Sequence, residues 1–144
     1  MKMGNMHSYR YAVGIDPGIN CGFAIYDRQL AELTHCCSLS LHELFDTLKA
    51  WRTNSIEVYI ENPNTWISFG GKKASDARLQ GAGAVKQTYR HIVEFLDDYS
   101  IPYKPTKLQG NLKKVSHDYF VKLTGYDSKT NEHGRDAAMI VFKR

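Results

Sequence analysis

Tyr11-Ala12-Val13-Gly14-Ile15-Asp16-Pro17-Gly18 is an apolar run that ends on a carboxylate and a turn signal. After Ile19 and Asn20 the apolar pattern resumes in Cys21-Gly22-Phe23-Ala24-Ile25-Tyr26. Runs of this composition broken by Pro-Gly predict two strands, Tyr11–Ile15 and Cys21–Tyr26, joined by a turn. Glu32–Leu39 predicts a third. Three sequential strands with short connections pair antiparallel.

Downstream, Ser40 with Glu43 three residues on forms a capping box. Leu41, Leu44, Phe45, Leu48 and Trp51 continue from it as the apolar stripe of a helix. Ile56–Ile60 is β-branched and aromatic, and a helix separates it from the earlier strands, so a right-handed crossover lays it parallel to one of them. A polar loop, Asn62–Ala74, leads to a long helix over Ser75–Tyr99, with Leu79, Val85, Ile92, Val93 and Leu96 near helical spacing. Gly81 and Gly83 inside it cost roughly 1 kcal/mol each relative to alanine, which points to close approach of another backbone, a kink or a broken start. A short strand at Ile101–Lys104 and helices at Leu112–Thr124 and His133–Phe142 complete the alternation.

The 144 residues, 42% hydrophobic, fit one domain with an ordinary core, residues 1–10 being a loosely ordered lead-in. No run approaches the roughly 18 apolar residues that span a bilayer, and Met1–Arg10 lacks the apolar centre of a signal peptide, so the expectation is a cytoplasmic protein without a membrane partner. Cys21, Cys36 and Cys37 form neither an even disulfide framework nor a C-x-x-C pattern, which implies reduced thiols. His35 adjoins the cysteine pair, but strand neighbours point to opposite faces, which disfavours a shared metal. The formal net charge of +4 favours a polyanionic partner. Lys104, Lys107, Lys113, Lys114 and Lys122 face only Asp118 in their stretch, either as a positive surface or as a solvated helix face.

Asp16 ends the first strand, and Glu61 ends the fourth in Val58-Tyr59-Ile60-Glu61-Asn62-Pro63. If the two strands are parallel neighbours about 4.8 Å apart, both carboxylates emerge at the carboxyl edge, where open α/β sheets place their ligands. Two unpaired carboxylates that close repel, and a cation between them resolves the conflict. His133-Gly134-Arg135-Asp136 opens the last helix, and its i, i+3 spacing puts imidazole and carboxylate on one face. This donor set suits Mg²⁺ or Mn²⁺, and two such ions roughly 3.5–4 Å apart can drive phosphodiester hydrolysis. Singly, Asp16 reads as a turn residue, Glu61 as a strand-end charge and Asp136 as a first-turn acid facing the helix dipole. In this order, each at the end of an element, they read as one site.

Gly14-Ile15-Asp16-Pro17-Gly18 followed by Cys21-Gly22-Phe23-Ala24 resembles the opening motif of the RuvC-type Holliday junction resolvases, a family of the RNase H-like superfamily. The Ile60-Glu61 strand end resembles that family's second acidic position. His133-x-x-Asp136-Ala137-Ala138 is similar to its closing motif, and Ala77-Arg78-Leu79-x-Gly81-Ala82-Gly83-Ala84 to the small-residue segment opening its long helix. The resemblance runs from Tyr11 to Val141. It implies an α/β RNase H-like fold, a five-stranded mixed sheet with strands one to three antiparallel, flanked by helices. It also implies a homodimer that cuts four-way DNA junctions, with two Mg²⁺ or Mn²⁺ ions per active site at Asp16, Glu61, His133 and Asp136. Lys107 matches the first lysine that holds the scissile phosphate, and either Lys113 or Lys114 the second. The spacing between these basic positions is shorter than the family's, which implies a trimmed loop. Compactness resembles phage-encoded members, which act in a bacterial host's cytoplasm.

In the loop after Glu61, Trp66 and Phe69 are interleaved with Lys72, Lys73 and, just beyond it, Arg78. Exposed bases at a branch point stack on aromatic rings while Lys and Arg meet phosphates, and RuvC-type enzymes carry an aromatic in this loop; the structural alternative is an aromatic folded back as a core plug. An actin-like kinase also begins with G-x-D-x-G but needs a second lobe for which 144 residues leave no room. A ribonuclease acting on RNA–DNA hybrids would use the same metals. A non-catalytic junction-binding protein would lack one of the acids, and all are present.

Overall fold

The computed structural model describes residues 8–65 and 76–144, with the side chains of Thr65 and residues 76–79 outside that description. β1 (Tyr11–Asp16), β2 (Cys21–Asp27) and β3 (Glu32–Leu39) form the expected antiparallel meander, with Asp16 opposite Gly22. α1 (Leu41–Trp51) starts at the capping box: the Glu43 N–H donates to Ser40 Oγ and the Ser40 N–H donates to the Glu43 carboxylate. The chain then enters β4 (Ile56–Glu61), parallel to β1 with Ile15 beside Ile60. α2 (Asp76–Asp98) leads to β5 (Tyr103–Thr106), parallel to β4 with Thr106 beside Glu61. The sheet order is β3-β2-β1-β4-β5.

Period-2 alternation sorts the strand side chains into two layers. Val13, Ile15, Val58 and Ile60 pack with Leu44 and Leu48 of α1 and Ile92 and Leu96 of α2. On the other face Ala12, Ala24 and Tyr59 pack with α3 (His117–Thr124) and α4 (Glu132–Val141) through Phe120, Ala137, Ala138 and Val141. Asp16 and Glu61 share the parity of Ala12 and Tyr59, so they belong to the α4 face. A Cβ at Gly14 would overlap the Ala137 carbonyl, and one at Gly22 the His133 carbonyl. The missing side chains therefore let α4 lie against the sheet and bring its first turn to the end of β1.

The structure corrects three expectations from the sequence. The last strand is Tyr103–Thr106 rather than Ile101–Lys104, because the Ile101 N–H closes back on the Leu96 carbonyl and Ser100 turns at φ 53°. Pro105 is tolerated there since β5 is an edge strand. The helix placed at Leu112–Thr124 begins only at His117, capped by Ser116; a 3₁₀ turn over Gly110–Leu112 and a positive φ at Lys114 come first. Gly81 and Gly83 do not break the start of α2: the helix runs through them, and a Cβ at either would touch no described atom within 4 Å. Of the expected α2 stripe, Ile92 and Leu96 are buried, Val85 and Val93 half-buried, and the Leu79 side chain lies outside the described residues. Among the described residues no helix is long and apolar enough to cross a membrane.

Candidate active site

Asp16 and Glu61 end neighbouring parallel strands, and their carboxyl groups face each other at close range. The Glu61 side chain is 6% exposed and that of Asp16 14%. Burial and then this contact with Glu61, with Asp136 adding to it, push the Asp16 carboxyl up from 3.8 to about 8. A proton therefore does in this arrangement what a cation would do: it keeps two carboxylates from facing each other charged. Among the described residues the one ammonium against the pair is that of Lys113, whose Nζ is 3.0 Å from Glu61 Oε1.

α4 supplies the other two donors. Asn131 caps it by accepting from the Gly134 N–H, which fixes the first turn with His133 and Asp136 on the cleft side. His133 Nδ1 lies 3.8 Å from Asp16 Oδ2, its ring half-exposed. Asp136 is half-buried, its carboxyl raised by burial although the Lys114 backbone N–H donates to Oδ1 at 2.9 Å. Together with the Pro17–Asn20 turn and Gly81, Ala82, Ala84 and Val85 of α2, these groups line one cleft of about 820 Å³. Among the described residues no three donors already converge on one point. The donor set fits hard or borderline divalent ions: oxygen-rich, one imidazole, and, among the described residues, negative charge in excess of its counter-cations.

The two adjacent lysines part company. Lys113 presents its ammonium to Glu61, whereas Lys114, at φ 54°, presents its backbone N–H to Asp136. Lys107 is exposed one residue beyond Thr106, at the same edge of the sheet but outside the lining of the cleft. Trp66, Phe69, Lys72 and Lys73 lie outside the described residues, as does the side chain of Arg78 in α2. Sequence reasoning passes over Arg135, which stands between the two α4 donors. Its Nε donates to the Val115 carbonyl at 2.8 Å and its Nη1 to Thr130, tying the Lys113–Lys114 segment to α4. An arginine inside a ligand motif, on the far side of the helix from both ligands, is the signal for such a brace. Asn131, one residue before the motif, carries the ordinary signature of an N-cap. Away from the site, Cys21, Cys36 and Cys37 are free thiols, and the His35 ring packs edge-on against Trp51.

No family model matches the sequence, and no curated protein does. Among solved structures, the fold is similar to that of T. thermophilus RuvC in complex with Holliday junction substrate. The TM-score is 0.65 at 15% identity, over 92% of this chain and 90% of that one. At that identity the likeness is one of fold, and it makes this mixed five-stranded sheet with flanking helices an RNase H-like α/β fold.

Proposed function

We propose that the chain is a divalent-metal-dependent, structure-selective DNA endonuclease that cuts four-way junctions and related branched DNA. One observation carries this reading: Asp16 and Glu61, on adjoining ends of parallel strands, face each other at close range, and among the described residues Lys113 alone brings an ammonium to the pair. The solved structure whose fold this chain shares is in complex with a Holliday junction substrate, which supports branched DNA as the partner here.

Asp16, Glu61, Asp136 and His133 would hold two Mg²⁺ or Mn²⁺ ions, which when bound supply activation of the attacking water and stabilisation of the leaving oxygen. Lys113, already on Glu61, reaches the scissile phosphate as the second lysine of the resemblance, and Lys107 approaches from the strand edge as the first. The Lys114 N–H holds the Asp136 carboxylate in orientation. Trp66, Phe69, Lys72, Lys73 and Arg78 contact the DNA around the cut. Two strands of a junction cut in a matched way require two such sites, hence a homodimer of single-domain nucleases working in the cytoplasm.

The test is a gel assay with a synthetic four-way junction, a linear duplex and an RNA–DNA hybrid, each with Mn²⁺, Mg²⁺ or EDTA. Paired, metal-dependent nicks in the junction are expected. Asp16→Asn should lower the rate at least a hundredfold, since even outer-sphere partners of a metal are worth about 10–100-fold. Junction binding should persist in that variant, because phosphate contacts elsewhere carry affinity. Cleavage of the hybrid alone would move the chain to the ribonucleases, and binding without cutting would leave a junction-binding protein.

A further inference from the structure

On the flank of α2 away from the acid cleft lies a second groove of about 410 Å³, between that helix and the Pro63–Thr65 turn that follows Glu61. Lys86 and Arg90, one helical turn apart, project into it beside Gln87, Tyr89 and Asn64. Among the described residues neither cation has an ion pair. Glu94, the next carboxylate along the helix, is turned to His91 at 3.9 Å. Both are exposed, so two charges and several amide and hydroxyl donors face solvent in one concave strip.

The strip and the cleft lie on two sides of the same stretch of α2. Gly83 lines the groove while Gly81, Ala82 and Ala84 line the acid cleft, so only the slimmest part of α2 stands between them. A Cβ at either glycine would touch no described atom within 4 Å, so among the described residues the helix forms a low saddle over which a polymer can pass from one side to the other. Lys86 and Arg90 are separated by about 6 Å along the axis, the scale of the step between neighbouring phosphates of one strand. The glycines, a cost to the helix with no packing return among the described residues, thereby acquire a reason.

We propose that this groove is a second, non-catalytic DNA contact in which Lys86 and Arg90 hold phosphates of the strand leaving the acid cleft across the Gly81–Gly83 saddle. This rests on the nuclease reading above. It gives the protein grip on a junction arm beyond the point of cutting, the contact a branched substrate offers and a small linear fragment does not.

The test is the double variant Lys86→Gln, Arg90→Gln against the unaltered protein, with fluorescence anisotropy on a labelled four-way junction in EDTA across a salt series and gel cleavage at saturating protein with Mn²⁺. The variant should bind about tenfold or more weakly at moderate salt. Its salt slope should fall by nearly two, at about 0.9 for each phosphate the protein no longer neutralises. Cutting at saturation should stay within about twofold. If the unaltered protein nicks the junction and the variant binds with the same Kd and slope, the groove inference alone fails. Loss of cutting at saturation would overturn it too, by moving these cations into the catalytic centre. If the unaltered protein neither binds nor nicks the junction, the nuclease reading falls and takes the groove with it.

Discussion

Glu57 and Glu61 sit on the same face of β4, 7% and 5% exposed, yet the fold treats their charges in opposite ways. At the strand's amino end, Glu57 Oε1 meets Lys104 Nζ at 3.0 Å, and Oε2 meets Arg28 Nη1 at 3.3 Å and the Tyr59 hydroxyl, which donates at 3.0 Å. Arg28 continues to the Tyr9 and Arg144 carbonyls, and the Arg144 guanidinium lies 4.7 Å over the Tyr59 ring. Burial alone would raise the Glu57 carboxyl, but Lys104, Tyr59 and Arg28 outweigh it and hold the group below the usual glutamate range. At the carboxyl end, Glu61 meets a second carboxylate, has a third nearby, and among the described residues is offered only Lys113. The difference separates a charge the fold neutralises for its own stability from one that the described residues neutralise only in part, and that a divalent cation would complete in the proposed nuclease. Burial of an acid does not by itself mark a site; a shortage of counter-charge around it does.

The largest effect should come from cutting into the compensated end. Arg28→Met leaves Glu57 enclosed with half its cationic shell, and removing one partner of a buried pair costs about 3–5 kcal/mol. Urea denaturation should show that loss, with DNA cleavage intact at temperatures where the variant is folded. Asp16→Asn should do the reverse, raising the stability of the metal-free protein by relieving repulsion while abolishing cleavage. If Asp16→Asn destabilises the metal-free protein as much as Arg28→Met does, the two ends are alike and the comparison breaks.

A smaller and reversible effect is the pH dependence, whose sign differs between the ends. Asp16 titrates near 3.8 when unfolded and at about 8 when folded, so the folded state binds the extra proton between those values. Its contribution to metal-free stability is therefore full below about pH 4 and lost as the pH rises to about 8. Glu57, depressed in the folded state, contributes stability that is present above its unfolded value near 4.5 and lost only as the pH falls below it. Urea midpoints in EDTA from pH 5 to 9 should decline with pH, and Asp16→Asn should flatten the decline. Saturating Mn²⁺ should flatten it as well, the cation replacing the proton. A slope that survives Asp16→Asn unchanged would place the titration elsewhere.

The acid end was legible in the sequence because its signals are local. Asp16 and Glu61 each close an apolar strand, and His133 and Asp136 carry their face-sharing in their spacing. Glu57 was not legible: a lone carboxylate among Ile56, Val58 and Ile60 reads like any solvent-facing strand residue, and its partners Arg28 and Lys104 arrive from other connections of the fold. The choice between Lys113 and Lys114 depends on a positive φ between a 3₁₀ turn and a helix, which erases the helical periodicity expected from Leu112 onward. The early start predicted for the last strand has a similar cause. Ile101 is apolar because it closes α2, not because it pairs in the sheet.

The smallest predicted effect concerns which cation the under-neutralised end selects. Three of its four donors are carboxylates, which do not distinguish Mg²⁺ sharply from Mn²⁺; the fourth, His133, is half-exposed and 3.8 Å from Asp16, near enough to share an ion with it after a modest side-chain turn. Imidazole suits borderline ions better than Mg²⁺. Mn²⁺ should therefore support cleavage at least as well as Mg²⁺ at saturating metal, and His133→Asp should tilt the ratio several-fold toward Mg²⁺ without changing junction affinity in EDTA. Asn131 and Arg135 hold the first turn of α4 whether or not His133 is present, so the substitution tests the ligand rather than the helix. A clear Mg²⁺ preference in the unaltered protein would remove His133 from the metal shell and leave the three carboxylates as the whole of the site.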